Sequence, residues 1–497
     1  MDGGALMSLM QPATSMQSIM LPPLPTVSPA SRPPPMGDEQ RLWNPALPNA
    51  HSAAAPPALA AAVQPPAVAR QVVVPPAPAP RTAAVPGAGG SGPFAVPPLN
   101  TVSARDTSRG QWVHWVFVTD CSAYMFNQGN LMLTSAVHVD QPGEFTWIAY
   151  GCRDKKQKDT LSSLLLHPRA RVWHAPEVEL IHPLTGKHYR AFQASNRPVS
   201  LLAWWRATKP QEEAIGILDP DMYWMRPAHL FKGVEARGAA AASVGPWKTP
   251  AAEPKLGSGA RYGIGCIASR VVKHLPNICG TSREACLKMA MNERGACAAS
   301  YSSGPPWILH RNDVDEVLGI WSNTSIGVHV AWADMLAEQA AYGISQIQFN
   351  VKSNLDNFWF LSSMGMDQPW KEVAAVAWDP CQTRQPPPSG LNLPPLWHAC
   401  STYEIPHLEN KGFRIHKDHI HKDLLDCMAP LVHYPPTDAL ERYKSDKLGR
   451  GYRETWAVCT YTNLINFHAA KWKNHFCRGP NLKPTFKYPR FGQSFLN

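Results

Sequence analysis

Residues 214–227 read AIGILDPDMYWMRP, and this stretch decides the fold. Ala214-Ile215-Gly216-Ile217-Leu218 is a short apolar run of the kind that forms a strand buried on both faces. The run breaks at Pro220, which has a fixed φ and no N–H to give to a ladder. Two carboxylates, Asp219 and Asp221, leave the strand at its carboxyl end, where open α/β sheets bind ligands. Set one residue apart, both can face a single divalent cation together with a diphosphate. Arg226, the basic residue that follows, is expected against the anionic part of such a ligand. The competing reading is a strand-ending turn with solvated carboxylates.

Outward from this stretch, short apolar runs alternate with helix-like segments. WVHWVFVTD (112–120), FTWIAYG (145–151) and ARVWHA (170–175) read as strands. Residues 128–139, DTLSSLLL (159–166) and VSLLAWWRAT (199–208) read as helices. This alternation predicts right-handed βαβ units and a parallel sheet covered on both faces, an α/β domain over about 105–485. Residues 232–260, rich in Ala, Gly and Pro, read as a mobile insertion, and RYGIG (261–265) restarts the order. Helices are expected over 312–321, 330–343 and 455–472. A Pro-rich break at 385–388 precedes a C-terminal subregion from about 390.

The first 100 residues hold 22 of the 50 prolines and 20 alanines but only seven charged residues and one Trp. Such a segment buries too little apolar surface to offset its ordering entropy, so residues 1–104 are expected to be disordered. The net charge of +10 suits a pocket for a diphosphate. Its Lys and Arg are dispersed, with no finger or RNA-recognition spacing, so an ordinary basic surface and no nucleic-acid partner are expected. No apolar run is long enough to span a bilayer, and no signal peptide or membrane anchor is visible. Eleven cysteines, with no paired zinc-site spacing, predict disulfides in an oxidising compartment with one thiol left over.

Three further groups are candidates for chemistry. His398, in LPPLWHAC, is either a satisfied core histidine or a third metal ligand that would tilt an oxygen-rich site from Mg²⁺ toward Mn²⁺. Asp334 and Glu338 are four residues apart in WADMLAEQAAYG, a spacing that places both on one helix face, turned to a pocket or to solvent. In the run from His416 to Asp423, one Lys held against a diphosphate is the useful hypothesis in what otherwise reads as a solvated loop.

Taken in order, these motifs resemble a family. VHWVFVTDCSAY (113–124), YGC (150–152), Asn196-Arg197-Pro198, LDPDMYWMRP (218–227), YGIGC (262–266), NICG (277–280), GPPWILH (304–310), DMLAEQAAY (334–342), LPPLWHAC (393–400) and KDLLDC (422–427) look like the plant and algal peptidyl serine α-galactosyltransferases, relatives of the hydroxyproline O-arabinosyltransferases. The resemblance implies a GT-A-type, Rossmann-like enzyme of the secretory pathway (ER/Golgi lumen). It would transfer galactose from UDP-galactose to serine hydroxyls of hydroxyproline-rich, extensin-like proteins, with retention and with Mn²⁺ or Mg²⁺. Carried onto this sequence it implies that Asp219, Asp221 and His398 hold the metal, that Lys417 contacts the donor phosphate and that Glu338 serves catalysis; from their places in the sequence, Asp219 and Arg226 are further expected to bind the donor and Asp334 to act beside Glu338. A hydroxyproline arabinosyltransferase using UDP-arabinofuranose and a non-catalytic glycoprotein-binding protein on the same frame stay open as alternatives.

Overall fold

The computed structural model describes residues 113–176, 180–181, 187–189, 193–228, 230–231, 249–250, 256–261, 297, 300–356, 359–362, 367–388, 390–405 and 413–477. The Pro/Ala-rich head and the motifs YGIGC and NICG lie outside these residues. In chain order the elements begin with β1 (Val113–Asp120), α1 (Ala123–His138), β2 (Glu144–Tyr150), α2 (Lys155–Ser163), β3 (Ala170–His174), α3 (Asn196–Thr208), β4 (Ala214–Leu218) and β5 (Met222–Trp224). Next come β6 (Leu230–Phe231), β7 (Thr249–Pro250), β8 (Leu256–Arg261), β9 (Ser303–His310), α4 (Val314–Ala331), α5 (Ala337–Phe349), β10 (Lys352–Asp356) and β11 (Phe360–Leu361). The chain continues through α6 (Asp367–Ala375), α7 (Pro380–Thr383), β12 (Leu396–His398), β13 (Tyr403–Ile405), β14 (Phe413–Ile415) and α8 (Arg450–Phe476).

Seven strands form the central sheet in the order β10-β8-β9-β4-β1-β2-β3. The expected parallel sheet is instead mixed: β1 to β4 are mutually parallel, and β9 runs antiparallel to both β4 and β8. Both faces are covered. Val113, Trp115 and Phe117 of β1 enter one core with α1 and α8, while Val116 and Val118 enter the other with α3, α4 and α5, the period-2 alternation of a strand. The chain steps from β1 outward to β3 and then returns to lay β4 on the other flank of β1. The strand order therefore reverses between β1 and β4, and their carboxyl ends, at Asp120 and Leu218, open a crevice.

Trp115 faces Gly216 across the β1/β4 ladder, and a Cβ on residue 216 would collide with the indole. Glycine here lets the ring lie on β4 and meet Trp224 edge-on, with centroids 5.2 Å apart. That contact fixes where β5 leaves the sheet.

Three further expectations change. The helix expected over 330–343 is broken between α4 and α5, because the Asp334 carboxylate accepts from the Leu336 N–H at 2.9 Å and turns the chain. The stretch 385–388 packs against the body: Asn463 of α8 donates to the carbonyls of Pro380 and Gln385, and Pro386 and Pro387 are buried. Of the expected insertion, residues 256–260 belong to β8 in the central sheet.

Disulfides join Cys121 to Cys152, Cys381 to Cys459 and Cys427 to Cys477. Cys297 is also disulfide-bonded, and Cys400 is a free thiol. Among the described residues no helix is long and apolar enough to cross a membrane.

His167 gives the fold a pH dependence. It is 3% exposed, lies against Phe145, and its Nδ1 accepts from the Arg169 N–H at 3.1 Å, a role open only to the neutral ring. Burial and the Arg169 charge hold its pKa down to about 3. An unfolded chain takes up this proton near pH ~6.5, so stability falls as the pH drops below that value, by up to about 1.4 kcal/mol per pH unit from this group. The melting temperature should fall between pH ~6.5 and ~4.5, and less steeply in His167→Asn; equal slopes would contradict the assignment.

Candidate functional site

The turn after β4 is built by its own sequence. Met222 N–H donates to the Asp219 carbonyl at 3.1 Å, closing a β-turn with Pro220 at the second position, where a fixed φ suits it. β12 then pairs antiparallel with β5, placing His398 opposite Met222, and Ala399 N–H donates to the Asp221 carbonyl at 3.0 Å. His398 is thus fixed beside the two acids by backbone bonds.

Asp219, Asp221 and His398 are 6%, 3% and 3% exposed. His398 Nε2 lies 3.5 Å from Asp219 Oδ2 and 3.5 Å from Asp221 Oδ1, and one ligand atom from each residue falls within 4.8 Å of the other two. The remaining carboxylate oxygens face cations. Arg197 Nη2 is 2.6 Å from Asp219 Oδ1, and Lys417 Nζ donates to Asp221 Oδ2 at 2.6 Å. Arg197 Nη1 also reaches Glu338 Oε2 at 3.5 Å.

Different elements deliver these groups. Arg197 lies in the first turn of α3, over the ring of Trp307 on β9. Glu338 lies in the first turn of α5, where Trp321 of α4 donates its Nε1–H to the Glu338 carbonyl at 2.8 Å. Lys417 starts a short turn after β14, capped by the His416 side chain. Beside it, Tyr124 of α1 donates to Asp418 at 2.9 Å.

Burial and charge oppose each other at these groups. Burial alone would push the Asp221 carboxyl up, but Lys417 and His398 hold it well below the usual carboxylate range. Glu338 is pushed up to about 7 by burial, with Arg197 opposing and Asp219 adding to the rise. Burial would raise the Cys400 thiol, yet His398 brings it down to about 7, with Ser362 Oγ 2.9 Å from its sulfur.

The donor set fits a divalent cation. Two carboxylate oxygens and one imidazole nitrogen converge, all three on buried side chains. A set of oxygens and one nitrogen suits Mn²⁺ or Mg²⁺ better than a thiolate-preferring ion.

A cleft of about 680 Å³ opens at the carboxyl ends of β1 and β2, lined by Asp120, Ser122, Tyr150, Arg153, Asn196 and Ser200 among others. The α3 N-terminus joins it to the acids: Asn196 lines the cleft while Arg197 pairs with Asp219. The first turns of α1 and α2 also border it, through Ser122, Ala123 and Gln157. Three helix N-termini on one cleft favour an anion.

Of the residues expected from sequence, the structure brings together Asp219, Asp221, His398, Lys417 and Glu338. It does not bring Asp334 to them as expected, because Asp334 sits in the turn before α5 and does not share a helix face with Glu338. Arg226 is turned to the Leu393 carbonyl, to which its Nε–H donates, since β5 carries the chain past the acids. Arg197, Tyr124 and Cys400 were not read as site residues. A basic residue in a helix first turn opposes the helix dipole, and that was the available signal for Arg197.

No protein-family model matches the chain, and no curated protein matches it. Among solved structures it is similar to the bifunctional glycosyltransferase WbbM in its apo form (TM-score 0.32, 10% identity), over 58% of this chain and 46% of that one. It is also similar to the galactosyltransferase LgtC in complex with donor and acceptor sugar analogues (TM-score 0.26, 12% identity, 58% and 87% covered). A third is mouse xyloside xylosyltransferase 1, apo form (TM-score 0.26, 10% identity, 57% and 96% covered). The chain thus spans less than half the length of WbbM, and likeness this remote carries no argument about its chemistry.

Glu338 provides a direct check on the site's electrostatics. Its folded pKa lies above the unfolded value, so the folded state keeps a proton that the unfolded state releases from pH ~4.5 upward. The stability this proton contributes is complete at low pH and is lost as the pH rises through about 7. Glu338→Gln, which mimics the protonated form, should melt above the wild type at pH ~8 and level with it at pH ~5; a constant difference between the two would contradict the raised pKa.

Proposed function

We propose that the chain is a metal-dependent GT-A-type glycosyltransferase acting on a nucleotide-sugar donor. The observation that carries this reading is the buried convergence of Asp219 Oδ2, Asp221 Oδ1 and His398 Nε2 beside Lys417 and Arg197, at the crevice where the strand order reverses. The finer assignment is galactose transfer from UDP-galactose to serine hydroxyls of hydroxyproline-rich proteins, and its support is the ordered succession of motifs in the sequence. The disulfides support an oxidising compartment such as the secretory lumen.

Asp219, Asp221 and His398 would hold the cation, which when bound offsets negative charge on the diphosphate. The cleft over β1 and β2 takes the nucleoside, with Tyr150 and Asn196 on its wall. Lys417 and Arg197 supply fixed positive charge where negative charge grows as the sugar–phosphate bond breaks, an electrostatic contribution that needs no reorganisation. In transfer with retention the acceptor oxygen attacks the anomeric carbon on the face the diphosphate leaves, and the departing phosphate oxygen takes the acceptor proton. No protein base is required. Glu338 orients an acceptor or sugar hydroxyl, and positioning of this kind supplies much of the rate.

The test is incubation of the full chain with Mn²⁺, a panel of UDP-sugars and Ser-Hyp-Hyp-Hyp peptides, with products identified by mass. UDP-galactose and a serine-linked hexose are expected. A pentose on hydroxyproline would move the assignment to arabinosyl transfer. Asp221→Asn and EDTA should each lower transfer at least about a hundredfold, the variant keeping a cooperative melting transition, since removing a metal-site group costs catalysis on this scale. Transfer indifferent to EDTA would overturn the metal assignment.

A further inference from the structure

The two acids divide their oxygens. Asp219 Oδ2 and Asp221 Oδ1 turn inward to His398, whereas Asp219 Oδ1 and Asp221 Oδ2 turn outward to Arg197 and Lys417, each at 2.6 Å. Arg197 has 18% of its side chain exposed and Lys417 23%, so water screens both pairs only in part. Three buried acids, Asp219, Asp221 and Glu338, face Arg197 and Lys417, so the charges of the pocket largely compensate one another. A dication entering alone would leave a buried site with excess positive charge, which an interior of low dielectric opposes strongly.

We infer that Arg197 and Lys417 are resident counter-ions which make metal binding depend on a diphosphate, so that cation and nucleoside diphosphate enter as a mutually neutralising pair. The inference rests on the metal reading above and adds a rule of assembly to it. The cations serve two ends. They aim the inner oxygens at one point, and they hold down the affinity for the bare metal until an anion offers Lys417 and Arg197 another partner. Preorganisation of the ligand oxygens works the other way, since losing it weakens metal binding. For a partly buried unit charge beside a dication the Coulomb effect is the larger of the two. Affinity for the bare metal should therefore rise when either cation is removed.

Direct contact between metal and diphosphate would itself couple the two ligands, so coupling in the wild type does not decide the matter. The deciding measurement is calorimetric titration of Mn²⁺ into the protein without nucleotide. Lys417 is the better site to change, because it is partly exposed and pairs with one acid only. Arg197 neutralises two buried acids at once, and its removal threatens the fold. Lys417→Met should bind Mn²⁺ about tenfold or more tightly than wild type, in the range of typical coupling between sites. The tightening of Mn²⁺ binding by added UDP should shrink in the same variant. Arg153→Met is the control, since it removes an equal charge from the cleft wall without a contact to either acid. It should change the affinity less than about threefold, as expected for a screened charge.

If Lys417→Met binds bare Mn²⁺ as weakly as wild type, or more weakly, the counter-ion role is overturned while the metal site stands. If Arg153→Met tightens binding as much as Lys417→Met, the effect is one of general charge and the inference fails. If no protein binds Mn²⁺ with or without UDP, the metal reading itself falls.

Discussion

A pair of carboxylates at the bottom of a cleft cannot keep its charge unless cations are brought to it, and that constraint organises this molecule. Burying an ionised acid without a partner costs more than a typical protein's whole stability allows. The turn after β4 holds two such acids, so the chain must deliver compensating groups from distant places. Arg197 comes from the helix before the strand, Lys417 from a turn almost two hundred residues later, and His398 from a second, smaller sheet. None of these segments touches the acids through sequence proximity. The small sheet β11-β12-β5 places a histidine beside this turn, and a lysine reaches it from just after β14.

Charged groups in such a site are only as well placed as what lies behind them. Arg197 rests over Trp307, Trp307 meets Trp321 edge-on at 5.2 Å, and both rings pack on Tyr342. Trp321 in turn holds the Glu338 backbone. One aromatic cluster therefore backs both an arginine and a glutamate, and a flat, rigid ring does so at little conformational cost. On the other face of the sheet Trp115 and Trp224 serve the β4–β5 connection in the same way. Four of the tryptophans, which composition alone presents as bulk core, thus stand behind the site.

Much of this was legible in the sequence, for identifiable reasons. β1, β2 and β4 announce themselves as apolar runs because both their faces are covered, and Asp219-Pro220-Asp221 marks the carboxyl end of β4 through its turn chemistry. The direction of β9 was not legible: SGPPWILH carries no residue that distinguishes a parallel from an antiparallel neighbour. Asp334 was paired with Glu338 through helical spacing, and the spacing failed because an Asp side chain competes for the backbone N–H two residues on. Arg226 is near the acids in sequence and is carried away by a strand that rises over 3 Å per residue. Arg197 is the converse case, remote in sequence and adjacent in space.

The bond between Cys121 and Cys152 ties the residue after β1 to a residue just past β2, and Cys121 is itself part of the cleft wall. This part of the cleft rim is thereby covalent, a cross-link that needs no ligand to close it. A chain assembled under reducing conditions would carry every acid and cation of the site, yet present them beside a wall held only by its ladder hydrogen bonds. The chemistry of the compartment where the protein is made is in this sense written into the shape of its cleft.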